Sequence, residues 1–473
     1  MYVSSKDRFN ALYVGVVALI YYAILCAKDW TWVFVSGDSG DWLATANWWM
    51  VPQPYGSPLY ILLCRFVGLF PGNLAFNVTW FLSAIPAAVS VGIVFLIVKR
   101  LTGKNLLALT SSIVLLGSTV LLTQATVVEE YALTTMLLTL AIYFRINDRP
   151  YLTALFVGLS ATVHVLVLIV ALGWVAAEFR YWRPKIKALL LSVGIVAVFY
   201  AFILVLMSMD TPRLLAGGLN FKSLMDYLGA VGGSVVGQLS IFEFPLRLWD
   251  FVRIVVASLG LALVPIVYSV RQKGVVLIAT VFVVVGYYLT CLDYTTWTFL
   301  TLAMPALAIM AGIGLDKLKP WHTKFVLVGG IVLILLNSIF MNANVLTQNR
   351  PIARDYYNDL SKLPSGAVVA TNASFYSLGM FYAMSEGKQL IPVVYPYLTQ
   401  WKFADYVEWI NDTYGTNLPQ DVTEVEVVEY FLQNDYDVYF AYYSDRPSYV
   451  WDGLVLEGTG HIRKVVEVQE CSE

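Results

Sequence analysis

Residues Gly37 to Tyr60 read GDSGDWLATANWWMVPQPYGSPLY. The stretch follows the first long apolar run of the chain and carries two carboxylates, Asp38 and Asp41. It then enters a Pro/Gly cluster instead of a second apolar run. Pro52, Pro54 and Pro58 each remove a backbone donor and restrict φ, so no regular helix forms before Leu59. Gly56 permits backbone conformations that other residues resist. The stretch therefore reads as a stiff bend that returns an amphipathic segment, 59–70, along the membrane surface. If a helix opens near Ser39, Asp38 is a good N-cap and Asp41 lies in the first turn, where the helix dipole favours an acid. A functional role competes with capping. The two acids share one helix face and stand between apolar segments, where ionisable groups are functional candidates by default.

The rest of the chain sets this bend in a membrane protein. Of 473 residues, 59% are hydrophobic and 13% charged, and the mean hydropathy is +0.69. Soluble domains carry about 25% charged residues. The net charge of -2 and the lack of a basic tract exclude a nucleic-acid partner. The four cysteines form no CxxC pair or Cys/His cluster, which argues against a zinc site or a disulfide framework. The first apolar run, 11–26, follows Lys6 and Arg8 and has no small-x-small cleavage site after it. It reads as a retained span that starts in the cytoplasm.

Apolar runs near 10–27, 74–98, 105–122, 128–145, 186–208, 250–270, 274–291, 296–314 and 323–342 read as transmembrane helices. The run 151–179 has basic residues at both ends: Arg145 and Arg149 before it, Arg180, Arg183, Lys185 and Lys187 after it. Both flanks belong on the cytoplasmic side. Two short helices meeting near Ser160 to His164 satisfy that demand. The total is about eleven segments. Lys99, Arg100, Lys104, Arg271, Lys273, Lys317, Lys319 and Lys324 then fall inside, and Asp29, Asp38, Asp41, Glu129, Glu130, Asp210 and Asp293 fall outside. An odd number of spans also puts the C-terminal region outside.

The expected architecture is a polytopic α-helical membrane domain, 1–345, with outer loops 28–73 and 209–249. After it comes an extracytoplasmic α/β domain, 346–473, in which helix and strand patterns alternate. Asn372-Ala-Ser374 and Asn411-Asp-Thr413 are glycosylation sequons there. Within 209–249, the segment 221–239 reads as an amphipathic interfacial helix.

Glu129 and Glu130 open the helix in TVVEEYALTTMLL, a placement that the helix dipole already favours. A lone histidine near a helical turn, such as His164, is more often structural than a ligand. Topology nevertheless places it on the outer side with the acids and with Asp293 of CLDYTTW. Arg213, Lys222 and Arg247 are outer cations suited to a phosphate, or to snorkelling at the interface. No P-loop, GxSxG or HExxH motif is present, so nucleotide-driven or serine-hydrolase chemistry is not indicated.

The quoted block resembles the signature of a large family of GT-C-like membrane glycosyltransferases whose eukaryotic relatives are protein O-mannosyltransferases acting on plexin-type receptors. That signature runs Gly-Asp-Ser-Gly-Glu, an aliphatic helix, then His-Pro-Pro-Gly-x-Pro-Leu-Tyr. Gly37, Asp38, Ser39 and Gly40 match, and Asp41 replaces the Glu. Gln53 and Tyr55 depart from the second part, while Gly56, Pro58, Leu59 and Tyr60 keep it. EEYAL at Glu129 to Leu133 resembles the family's Glu-Val-Tyr-Ala-Leu, GLSATVH resembles its Gly-Leu-Ser-x-x-x-His, and ARDYYNDLSKLPSGAVVATN resembles the start of its C-terminal domain.

The resemblance implies a GT-C architecture and a polyprenyl-phosphate-linked sugar donor. The acceptor would be a protein Ser/Thr or a glycan outside the cytoplasm, and transfer would invert the anomeric centre. It implies Asp38 as base, Asp41 orienting the acceptor or supporting Asp38, and Glu129, His164, Tyr60 and Asp293 around the substrates. Arg213 would hold the phosphate. No cofactor is expected. A divalent metal between Asp38 and Asp41 is chemically feasible, but most GT-C enzymes release a lipid phosphate without one. The protein would lie in a prokaryotic plasma membrane or in the ER. Two other readings stay open. One is a lipid-sugar flippase or transporter, which would show internal repeats and broken mid-membrane helices. The other is a receptor or scaffold with an external α/β domain.

Overall fold

A computed structural model describes residues 4–26, 42–43, 45–46, 57–208, 244–269, 275–290, 294–344, 359–371, 389–394, 403–419, 421–441, 453–458 and 462–469. Asp38, Asp41, Arg213, Lys222, Asp293 and the Asn372 sequon lie outside the described residues, as does the interfacial helix expected over 221–239.

The described part of the N-terminal three-quarters is helical. It comprises α1 (Ser5–Cys26), α2 (Pro58–Val67), α3 (Leu74–Thr102), α4 (Asn105–Leu116), α5 (Thr119–Ala125), α6 (Tyr131–Ile146), α7 (Pro150–Ala161) and α8 (Leu166–Ala177). After these come α9 (Phe179–Trp182), α10 (Ile186–Ser208), α11 (Phe244–Leu259), α12 (Leu263–Ser269), α13 (Val275–Thr290), α14 (Met304–Leu315) and α15 (Pro320–Asn344). Among the described residues, five helices are long and apolar enough to cross a bilayer, or six if the bent pair α4–α5 is one span. Helices α2, α6, α7, α8, α13 and α14 are shorter apolar helices. With no water in the bilayer core, the backbone must satisfy itself, so apolar sequence there becomes helix.

Close contacts lock the bundle. A Cβ on Gly92 of α3 would stand 2.9 Å from the carbonyl oxygen of Ala11 in α1, and one on Gly314 of α14 would collide with the Pro265 carbonyl of α12. Such small residues let membrane helices approach backbone to backbone. At the ends, Lys99 pairs with Asp7 at 3.7 Å and Lys104 with Asp316 at 2.8 Å.

The expected single span over 105–122 is instead two helices bent by 64°. Ser118 interrupts the ladder and caps α5, its hydroxyl accepting from Leu121 N–H at 3.4 Å. Asn337 of α15 fills the break: its Nδ2 donates to Gly117 O at 2.6 Å, and its Oδ1 lies 3.1 Å from the Thr119 hydroxyl. The segment expected as one span over 296–314 is also divided, into a 3-10 turn, Tyr294–Leu302, and α14. The run 151–179 divides between α7 and α8, which puts His164 in the intervening turn.

Towards the C-terminus the chain forms β1 (Ala367–Thr371), β2 (Leu390–Val394), α16 (Phe403–Tyr414), α17 (Glu424–Gln433), β3 (Val438–Ala441), β4 (Leu454–Glu457) and β5 (Ile462–Val468). The sheet order is β2-β1-β3-β5-β4, with β2, β1 and β3 parallel and β5 antiparallel to both β3 and β4. β1 is buried from Ala367 to Ala370, as a central parallel strand covered on both faces must be. Asn411 of the second sequon is occupied: its Nδ2, the atom a glycan would take, donates to Leu418 O at 2.8 Å, and its Oδ1 accepts from Leu418 N–H and from the Thr416 hydroxyl.

Candidate functional site

Buried ionisable groups mark one end of the α6–α7–α8 hairpins. Glu129 and Glu130 precede α6, and α7 returns antiparallel so that its C-terminal turn comes back to the start of α6. The Ser160 hydroxyl donates to Thr134 O at 3.0 Å, and the rings of Tyr131 and His164 stand 5.2 Å apart. Glu129 is 1% exposed, Glu130 is fully buried and His164 is 3% exposed. Carboxylates withdrawn from water cost free energy and are kept where a function or a partner offsets it.

The turn that carries His164 also sets its tautomer. Nδ1 accepts from the backbone N–H of Leu166 at 3.2 Å. A nitrogen that accepts carries no proton, so the neutral ring bears its N–H on Nε2. Phe299 covers the imidazole edge-on, with centroids 5.2 Å apart, and itself packs on Tyr131 at 5.7 Å and Tyr287 at 5.5 Å. Tyr287 is on α13. Its neighbour Tyr288 faces the Arg247 guanidinium, which lies 5.9 Å from the ring centroid and is 4% exposed. Arg247 is thus a buried cation held by α11 against the same helix that closes the His164 box.

Tyr60 joins the site from the other direction. It is fully buried, and Ser83, Glu129, Glu130 and Cys64 are its polar and ionisable neighbours. Trp42, next in sequence to Asp41, packs on Tyr60 with centroids 5.0 Å apart and planes at 78°. Leu59 N–H donates to Thr162 O at 3.2 Å, which ties the segment after the Pro/Gly bend to the His164 turn.

The structure therefore brings Tyr60, Glu129 and His164 to one end of the bundle. Several residues of this site were not singled out in the sequence: Ser83, Trp42, Cys64, Phe299 and Tyr287. Ser83 sits in a π-helical turn, Thr79–Ala84, and its hydroxyl donates to Glu129 O at 3.4 Å. The signal for that turn is Pro86, whose missing N–H disrupts the helical ladder four residues back; π-turns recur at functional sites. The aromatic residues carry no local signal, since an apolar ring in an apolar helix looks like any other. Among the described residues, no group of three or more His, Cys, Asp and Glu could hold a metal ion.

The fold is that of a polytopic helical integral membrane protein of the GT-C type. It is similar over 96% of its length to ArnT from Cupriavidus metallidurans bound to undecaprenyl phosphate, covering 97% of that chain with a TM-score of 0.64 and 11% identity. The apo form of the same ArnT matches with a TM-score of 0.63 and 12% identity, over 98% of each chain. Residues 38–188 match the family model described as "Protein O-mannosyl-transferase TMEM260 N-terminal domain". No curated protein matches the chain.

Proposed function

We propose that this protein is a membrane glycosyltransferase that moves a sugar, mannose or another hexose, from a polyprenyl-phosphate donor to a hydroxyl acceptor outside the cytoplasm. The acceptor class is a protein Ser/Thr or a glycan. The observation that carries the reading is the burial of Glu129, Glu130, His164 and Tyr60 at one end of a GT-C fold, with Trp42, the sequence neighbour of Asp41, packed on Tyr60. A solved structure of similar fold is bound to undecaprenyl phosphate, and a lipid donor must be met at the bilayer boundary.

In this scheme Asp38 takes the acceptor's hydroxyl proton as the acceptor oxygen attacks the anomeric carbon. The carbon–oxygen bond to the phosphate breaks, its electron pair leaves with polyprenyl phosphate, and the anomeric centre inverts. Asp41 orients the acceptor, and Asp293 joins the substrate pocket. Glu129 and Tyr60 line the sugar, and the Nε2–H of His164 is a preorganised donor for a sugar or phosphate oxygen. Arg213 and the buried Arg247 meet the leaving phosphate. The scheme calls on no metal. Eleven spans, with the N-terminus in the cytoplasm, put this site and the α/β domain, 346–473, on the outer side.

A transfer assay with radiolabelled polyprenyl-phosphate mannose and glucose and hydroxyl acceptors tests the proposal. Asp38→Asn should abolish label transfer while expression and melting temperature hold. Turnover at the native level would remove Asp38 from the chemistry. The bent α4–α5 pair is the one feature that favours a flippase instead. Label crossing a vesicle membrane without reaching an acceptor would favour that reading.

A further inference from the structure

The end of the bundle opposite His164 carries a second, cationic assembly. Here α6 ends, α7 begins, α8 ends and α10 begins. Tyr181 is its centre: the Arg145 Cζ stands 3.4 Å and the Lys185 Nζ 3.2 Å from its ring centroid, and its hydroxyl donates to Asp148 Oδ1 at 2.8 Å. The two nearby acids are consumed within the assembly. Asp148 pairs with Lys185 at 3.1 Å and Glu178 with Arg145 at 2.7 Å. This leaves Arg149, Arg180, Arg183 and Lys187 exposed, and no ion pair among the described residues involves them.

Three of these cations continue into an apolar stripe. Arg180, Arg183 and Lys187 follow one another at steps of three and four, the spacing of one helical face. Leu190, Leu191, Gly194, Val198 and Val205 prolong that face along α10. Leu190 is 61% exposed, Val198 69% and Val205 57%, and only 11% of this span is buried in the protein. A Cβ added to Gly194 would meet nothing within 4 Å, so the stripe carries an open notch about two turns below Lys187. Phe179, 58% exposed, and Tyr151, 56% exposed, flank the cations, as aromatic residues do at the headgroup level.

We propose that this surface is a binding site for one anionic phospholipid. Its phosphate and headgroup sit on Arg149, Arg180, Arg183 and Lys187, and an acyl chain lies along Leu190, Gly194 and Val198. Charge complementarity over a bilayer-facing apolar stripe identifies the occupant. The site is at the other end of α6 and α7 from Glu129 and His164, and it does not rest on the transferase reading.

Native mass spectrometry of the full-length protein with equal amounts of phosphatidylglycerol and phosphatidylcholine tests it. The native chain should retain phosphatidylglycerol in clear excess, and R149Q/R180Q/R183Q/K187Q should bring the ratio close to one. The singles R183Q and K187Q, which disturb folding least, should each lower it by an intermediate amount. R180K/R183K should keep it, because charge and not the guanidinium shape is what the headgroup needs. An unchanged ratio in the quadruple variant, or an equal loss from the control K319Q/K324Q, overturns the proposal. So does displacement of phosphatidylglycerol by equimolar polyprenyl phosphate. A disulfide-linked dimer through Val198→Cys would give the stripe to a second copy of the chain and also overturns it.

Discussion

The backbone N–H of Leu59 donates to the carbonyl of Thr162 across 3.2 Å. One bond thus joins the first turn after the Pro/Gly bend to the turn that carries His164, although about a hundred residues separate them. Tyr60 follows Leu59 and His164 lies two residues beyond Thr162. The start of α2 and the His164 turn are therefore held by the same strut.

Two residues before that strut the backbone is conformationally costly. Ser57 is 1% exposed and holds φ at +40°, the left-handed region that non-glycine residues resist. Ser57→Gly should keep the fold and raise its stability by up to about 1 kcal/mol, less whatever glycine loses in the unfolded chain. Ser57→Val, β-branched, should lower the melting temperature and the transfer rate together. Thermal melts of the three proteins in one detergent decide it.

His164→Ala removes the Nε2–H donor and the acceptor for Leu166 N–H. Transfer should fall on the order of a hundredfold, the scale of losing one preorganised donor. His164→Asn, whose amide oxygen can still accept from Leu166, should restore stability more fully than activity. A parallel loss of both in both variants would make His164 purely structural. Glu129→Gln should lower initial rates without destabilising, because it removes the carboxyl group and keeps the volume.

Helix contacts make an opposite kind of prediction. Gly314→Ala drives a methyl into the Pro265 carbonyl, a backbone atom that cannot rotate away. The variant should lose several kcal/mol and yield little monodisperse protein on size exclusion. Gly286→Ala, where an added Cβ meets nothing within 4 Å, should purify like the native chain.

The α/β segment should respond to pH from two sides. Glu426 completes a capping box at the start of α17, accepting from Thr423 N–H at 2.6 Å and from the Thr423 hydroxyl at 2.9 Å. Those bonds hold its carboxyl below the usual glutamate range. Its contribution is complete above the unfolded value of about 4.3 and is lost as pH falls through the lowered folded value. Glu426→Gln should flatten the acid side of the melting profile. Burial pushes the Tyr414 hydroxyl up to about 12. Stability tied to it is complete below about pH 10, the unfolded value, and is lost as pH rises towards about 12. Tyr414→Phe should remove that alkaline decline.

Much of this was legible before any fold was drawn. The division of 151–179 into two helices follows from basic residues on both flanks, and the turn it implies is where His164 stands. The GDSGD block, EEYAL and GLSATVH named Asp38, Glu129 and His164 through resemblance, and of these Glu129 and His164 are buried at one end of the bundle. The bend between α4 and α5 was not legible, because Gly117-Ser118 is tolerated within apolar helices and the partner that stabilises the break, Asn337, is distant in sequence. Phe299, Tyr287 and Trp42 were equally silent.

The sequence by itself determined where helix must form and which helix ends carry acids or bases. Both are local: a chain segment in hydrocarbon must satisfy its own backbone, and charge is read from the flanks. Only the tertiary structure decided that Tyr60, Ser83, Glu129, His164 and Phe299 share one buried site and that Arg180, Arg183 and Lys187 head an open stripe. Side-by-side packing of apolar helices depends on close fits such as Gly92 on Ala11 and Gly314 on Pro265. Those fits pair surfaces far apart in the chain, and hydropathy, being the same for every lipid-soluble face, does not distinguish one partner from another.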